Sequence, residues 1–176
     1  AQSRGGKGVI GLTTKEEEGI DDVKLVSTHD NMLFFSSRGR VFQMRAFDVP
    51  VSSRTAKGNA LVNFLQLAPN EKITAVLALG KEETEKTKFL VMATSKGNIK
   101  KTPLKDFENV RRNGLIAIKL KSEDNLKWVK SSTGKDEVII ATKGGQAIRF
   151  KESNVREMGR AASGVRAIRL KSSDEV

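Results

Sequence analysis

Apolar residues in this chain come in short runs divided by polar turns, and the runs recur at a regular interval. One series places a glycine ahead of an alternating apolar stretch: SRGGKGVIGL at 3–12, SRTAKGNALVNFL at 53–65, RRNGLIAIKL at 111–120 and GRAASGVRAIRL at 159–170. The aligned glycines are Gly8, Gly58, Gly114 and Gly164, spaced 50, 56 and 50 residues apart. The fourth residue after each glycine is Leu12, Val62, Ile118 or Ile168, and the sixth is Thr14, Phe64, Leu120 or Leu170. A period of two places these on one inward face of a strand.

A second series reads MLFFSSRGRVFQM at 32–44, VMATSKGNIKKT at 91–102 and IIATKGGQAIRF at 139–150, with Gly39, Gly97 and Gly145 aligned. Each copy is strand, small polar turn with glycine, strand, which predicts a hairpin. The turn glycines are expected to need positive φ. A further strand precedes each hairpin, at 23–27, 73–79 and 126–130. One period therefore holds four strands, the pattern of a propeller-type blade. Helical signal is limited to single turns at 16–22 (EEEGIDD) and 105–110 (KDFENV), and the polar stretch 80–88 reads as an exposed hairpin loop. The predicted class is all-β, with blades of four antiparallel strands in one partial domain. Its repeats run 1–52, 53–108 and 109–158, with the start of a fourth at 159–176. About three blades cannot close a ring of the usual 4–8, so the ring is expected to be open or incomplete, with unpaired edges available for self-association.

Composition narrows the chemistry. The 176 residues contain no Cys and one His, which excludes disulfides, thiolate metal sites and a pair of catalytic histidines. No apolar run approaches the length of a membrane span, and a cytoplasmic location is the default. The 32 basic residues outweigh the 21 acidic ones, for a net charge of +11, so a polyanionic partner is expected.

The basic residues recur in phase. Four positions before the aligned glycine stand Arg4, Arg54 and Arg160, one position before it stand Lys7 and Lys57, and the third copy carries Arg111 and Arg112. The hairpins add Arg38, Arg40, Lys96, Lys100, Lys101 and Lys143. Matched turns in a blade array lie on one rim, so the expected result is a curved cationic track that displaces counterions from a duplex. Gln2, Gly5, Gly6 and Gly8 complete a box whose backbone N–H groups can approach a phosphate. Bending 20–30 bp costs on the order of 1–6 kcal/mol, which distributed contacts can offset. Eight Phe and one Trp leave little for stacking on single strands, which favours a duplex over RNA.

The opening AQSRGGKG resembles the Q-R-R-G-G-R/K-G box of the gyrase A C-terminal domain, and the resemblance runs on through the repeats to VREMGRAASGVRAIRL. Topoisomerase IV has similar blades and usually a degraded box. The resemblance implies a β-pinwheel, a propeller relative whose blades exchange strands. It also implies a DNA-wrapping function that directs strand passage and negative supercoiling, near the nucleoid. The partners it implies are the gyrase B subunit, the rest of the gyrase A subunit, with double-stranded DNA as the ligand. Ser3 departs from the family's Arg, and the family domain usually carries about six blades.

The chain has no Tyr, the residue type with which a topoisomerase cleaves DNA. GKGVIG at 6–11 matches G-x-G-x-x-G without a preceding strand or a following helix, and a P-loop would need Ser or Thr where Val9 stands. No cofactor is expected in this chain; ATP and Mg²⁺ belong to other parts of a holoenzyme. His29 and the acidic residues Glu16, Glu17, Glu18, Asp21 and Asp22 are read as solvated turns, and Trp128, Phe34, Phe35, Phe42 and Phe89 as core. The alternatives are a topoisomerase IV domain and a propeller-like module that binds an acidic protein.

Overall fold

The computed structural model describes residues 22–53, 55–111, 113–171 and 173–176. Its strands are β1 (Asn31–Ser36), β2 (Arg40–Arg45), β3 (Ile73–Leu79), β4 (Phe89–Thr94), β5 (Asn98–Pro103), β6 (Leu115–Ile116), β7 (Leu126–Ser132), β8 (Glu137–Ala141), β9 (Ala147–Lys151) and β10 (Val165–Arg166). They form two four-stranded sheets, β3-β1-β2-β6 and β10-β5-β4-β7, and the hairpin β8-β9. Every pairing between these strands is antiparallel.

The sheets are not assembled period by period. The strand preceding each hairpin in sequence pairs with the hairpin before it: β3 with β1, and β7 with β4. The strand after each aligned glycine reaches further back: β6 pairs with β2, and β10 with β5. Each complete blade is thus closed by strands from later repeats. For the same reason residues 22–27 form no strand, and Leu25 is 98% exposed. A strand of this kind pairs backward, and among the described residues no hairpin precedes it. The second glycine-led copy likewise forms a 3-10 turn (Leu61–Asn63), with Val62 63% exposed.

β1 is buried on both faces, which explains its unbroken apolar run. Leu33 and Phe35 pack with Val41, Leu90, Met92, Phe107, Leu126 and Val129 between the two large sheets. Met32 and Phe34 pack with Phe42, Met44 and Leu65 on the far side. A third cluster around Ile99, Ile140 and Val155 joins the second sheet to β8-β9. Phe34, Phe35 and Phe42 are therefore core, as predicted, whereas Phe89 is half-buried and Trp128 is 39% exposed on the edge strand β7. The predicted loop at 80–88 holds a short helix, α1 (Lys81–Lys86), with every residue exposed. The predicted turn near 105 is the 3-10 turn Leu104–Phe107.

The hairpin turns show why they carry glycine. Gly39 has φ +73°, and a Cβ there would lie 2.5 Å from the carbonyl oxygen of Ile118. Its own carbonyl accepts the amides of Ala117 and Ile118 at 2.8 and 3.1 Å. Gly97 repeats the arrangement with Ala167 and Ile168. The glycines thus seat the strand that arrives from a later repeat.

Candidate nucleic-acid interface

A hydroxyl and a carboxylate fix each hairpin to its following strand. Ser36 Oγ donates to Glu71 at 2.5 Å, and Thr94 Oγ1 to Asp124 at 2.7 Å. In the third hairpin, Thr142 is bonded to Asp174. Burial alone would raise the Glu71 carboxyl, but bonds from Ser36, the Ala68 amide and Arg40 outweigh it and hold it below the usual range. Asp124 is lowered in the same way against its burial, by Thr94, the Lys96 amide, Asn98 and Ser95. These pairs position the loops before β3 and β7, against which the basic hairpin turns fold. The Arg38 guanidinium donates to the Pro69 carbonyl at 2.7 Å, and Lys96 Nζ donates to the Ser122 carbonyl at 3.2 Å and pairs with Glu123 at 3.3 Å. Both Arg38 and Lys96 are exposed.

The glycine-led loops of consecutive repeats lie side by side. The Lys119 amide donates to the Ala162 carbonyl at 3.1 Å. An open groove of about 810 Å³ between them is lined by Asp106, Gly114, Ile116, Gly159, Arg160 and Ala162. Gly164, at φ +80°, packs so closely on β5 that a Cβ would sit 2.5 Å from the Ile99 carbonyl oxygen. Arg111 is exposed at the start of one loop, and Arg160 is half-exposed at the start of the next. Lys57 is exposed. Gln2, Arg4, Gly5, Gly6, Lys7, Gly8, Arg54 and Arg112 lie outside the described residues.

Three predicted contact residues are turned inward instead. Lys100 is 0% exposed, and its ammonium donates to the carbonyls of Ala117 and Arg160. Lys101 is 7% exposed; its ammonium donates to the Glu152 carbonyl at 3.0 Å and lies 4.9 Å from the Phe89 ring centroid. Arg40 is half-buried over the Phe42 ring, pairs with Glu71 at 2.8 Å and donates to the Asn113 carbonyl at 2.6 Å. A cation committed to buried carbonyls and rings is not available to a phosphate in this conformation. Alignment of the turn glycines could have flagged Lys100. The third residue after Gly39, Gly97 and Gly145 is Phe42, Lys100 and Ile148, so Lys100 falls at an otherwise apolar position.

The sequence profile of the family described as DNA gyrase C-terminal domain, beta-propeller, matches residues 1–27, 30–79, 88–132 and 136–176. The chain belongs to that family. Among relatives of this gyrase-type domain, the DNA gyrase A subunit of Clostridium acetobutylicum is 47% identical over 166 residues, covering 94% of the chain. Those of Klebsiella oxytoca and Staphylococcus aureus are 45% and 41% identical over the whole chain. In each case the chain spans 20% of the relative's length. Among solved structures, the C-terminal domain of DNA topoisomerase IV superposes with a TM-score of 0.74 at 28% identity, covering 84% of this chain and 46% of that one. A DNA gyrase A C-terminal domain superposes at 0.68, with 94% and 55% covered and 23% identity, which bears on the fold alone. The gyrase-type fold is therefore the exchanged-strand blade array described above. Among the described residues it is not closed into a ring.

Proposed function

We propose that this domain binds duplex DNA along the edge formed by its glycine-led loops and bends it, as a non-catalytic part of a gyrase-like type II topoisomerase. In this reading the DNA path leads a second segment toward strand passage and so directs negative supercoiling. The protein partners are the gyrase B subunit, together with the remainder of the gyrase A polypeptide. Residues that cut DNA or hydrolyse ATP lie elsewhere in the assembly. The observation that carries the reading is the juxtaposition of the 111–114 and 159–164 loops. It brings a matched pair of cation-bearing, glycine-containing loops to neighbouring positions on one edge, where a duplex backbone also presents its charges in series.

Among the described residues, the contact set is Arg38, Lys57, Lys96, Arg111 and Arg160. The box Gln2, Arg4, Gly5, Gly6, Lys7 and Gly8, with Arg54 and Arg112, extends it. Family membership and the 41–47% identity to gyrase relatives support the gyrase assignment over topoisomerase IV. The test is the affinity for a random-sequence duplex of about 40 bp across a salt series. About six phosphate contacts predict a log–log slope near −5. A flat slope would replace the DNA reading with an interaction module for an acidic protein.

A further inference from the structure

Lys100 is a cation built into an apolar slot. It stands where Phe42 stands in the first hairpin, and like Phe42 it is fully buried. An apolar side chain would serve packing better, because burying a charge costs desolvation free energy. The ammonium bridges two repeats. It donates to the Ala117 carbonyl at 2.6 Å and to the Arg160 carbonyl at 2.5 Å. Ala117 lies on the stretch that Gly39 seats, three residues after Gly114, while Arg160 opens the following glycine-led loop. The charged groups that act on Lys100 are Asp106, from the 3-10 turn after β5, and the Arg160 guanidinium.

We propose that Lys100 is a positioning residue that fixes the spacing between consecutive glycine-led loops, so that Arg111 and Arg160 meet successive phosphates of one duplex backbone. The proposal rests on the DNA-contact reading above. It has a consequence that a packing role lacks. Burial, with the repulsion of Arg160, lowers the Lys100 ammonium to about 8 despite the attraction of Asp106. A phosphate seated at Arg160 brings negative charge beside that ammonium and favours its protonated form. Duplex binding near pH 8 is then accompanied by proton uptake, and affinity falls as pH rises beyond that point.

The experiment uses the whole chain and the variants K100M and K100F. Hydrogen exchange at residues 159–164 is followed without DNA, and titrations with a 40-bp duplex run across salt and from pH 7 to 9.5. The expected result is a folded K100M with faster exchange at 159–164. Its duplex affinity should fall about three- to tenfold, its salt slope should be shallower by about 1, and its pH profile should flatten between 7.5 and 9. Unchanged loop exchange together with an unchanged salt slope would overturn the proposal. If both variants unfold, calorimetry of the unaltered chain at pH 8 in two buffers of different ionisation enthalpy decides: proton uptake supports the proposal and its absence overturns it. If the unaltered chain does not bind the duplex at all, the DNA reading fails, and the loop exchange of the variants still decides whether Lys100 sets the loop spacing.

Discussion

Thr94 Oγ1 lies 2.7 Å from a carboxylate oxygen of Asp124, a contact buried between residues 30 apart in sequence. The same carboxylate accepts the Asn98 side-chain amide at 2.9 Å, the Lys96 and Asn125 amides at 2.9 Å and the Ser95 hydroxyl at 3.1 Å. One acidic side chain therefore organises the second hairpin turn and the entry to β7. Asp124→Ala strands several donors at once, at about 1–3 kcal/mol for each that water cannot reach. A loss of about 3–5 kcal/mol is expected, read as a lower urea midpoint. A loss below about 1 kcal/mol would show that the contact does not organise the turn.

The carboxylates give the domain an acid limit. Glu71 and Asp124 are held below their ordinary values in the folded state. The unfolded chain binds their protons first, so their stabilisation is complete above the unfolded carboxylate range and is lost as pH falls through the lowered folded values. Thermal midpoints should fall progressively below about pH 4, and E71Q should blunt that fall.

Lys100 acts with the same sign in an alkaline window. Its folded value of about 8 lies below the ordinary 10.5, so between these limits the unfolded chain binds more protons. The contribution of this one group to stability rises with pH across that window, by at most about 1.4 kcal/mol per pH unit. Subtracting the K100M profile from that of the unaltered chain isolates it. A difference that is flat between pH 8 and 10 would contradict the burial of the charge.

Gly39 and Gly145 share a left-handed backbone, at φ +73° and +80°, but not a neighbourhood. A Cβ on Gly39 meets the Ile118 carbonyl, whereas one on Gly145 meets nothing within 4 Å. Gly145→Ala should cost about 1–2 kcal/mol for conformation alone. Gly39→Ala should cost clearly more and weaken the seating of the strand from the later repeat. Equal losses in chemical denaturation would mean that close approach is not what selects glycine at Gly39.

Arg38 and Arg40 separate contact from architecture. Arg38→Ala should leave stability within about 0.5 kcal/mol and lower duplex affinity, because the side chain is exposed. Arg40→Ala should destabilise by about 3 kcal/mol, since Glu71 is left buried without its cation. Parallel melting and titration of the two variants distinguishes these outcomes.

The repeat, the hairpins and the all-β class were legible in the sequence because period-two runs and turn glycines are local signals. The pairing of blades was not legible in the residues themselves; only the family resemblance implied that blades exchange strands. Nothing within 73–79 states that β3 lies against β1 and not against the hairpin that follows it, and the partner is chosen by long-range packing of Leu77 and Ala75 onto the Leu33–Phe35 face. Of the candidate interface, the charge pattern was legible and the side-chain directions were not. Arg38, Lys96 and Arg111 are exposed and Arg160 is half-exposed, but charge alone does not say which way a side chain turns. Lys100, Lys101 and Arg40 satisfy backbone carbonyls that an exchanged-strand array brings to them. Trp128 misled for a related reason: it sits on β7, an edge strand that is paired on one side only, by β4.

Backward pairing also sets the order of assembly during synthesis. Arg40 finds its β6 partner only in Ile116, so the first sheet cannot close until the second hairpin has already been made. Such high contact order slows folding and leaves β2 with an open edge in the meantime. Deleting one period, such as residues 53–108, would remove β3 from the first sheet and β4 and β5 from the second, so the first hairpin would have to be closed by β7 and β10, strands that now serve its neighbour.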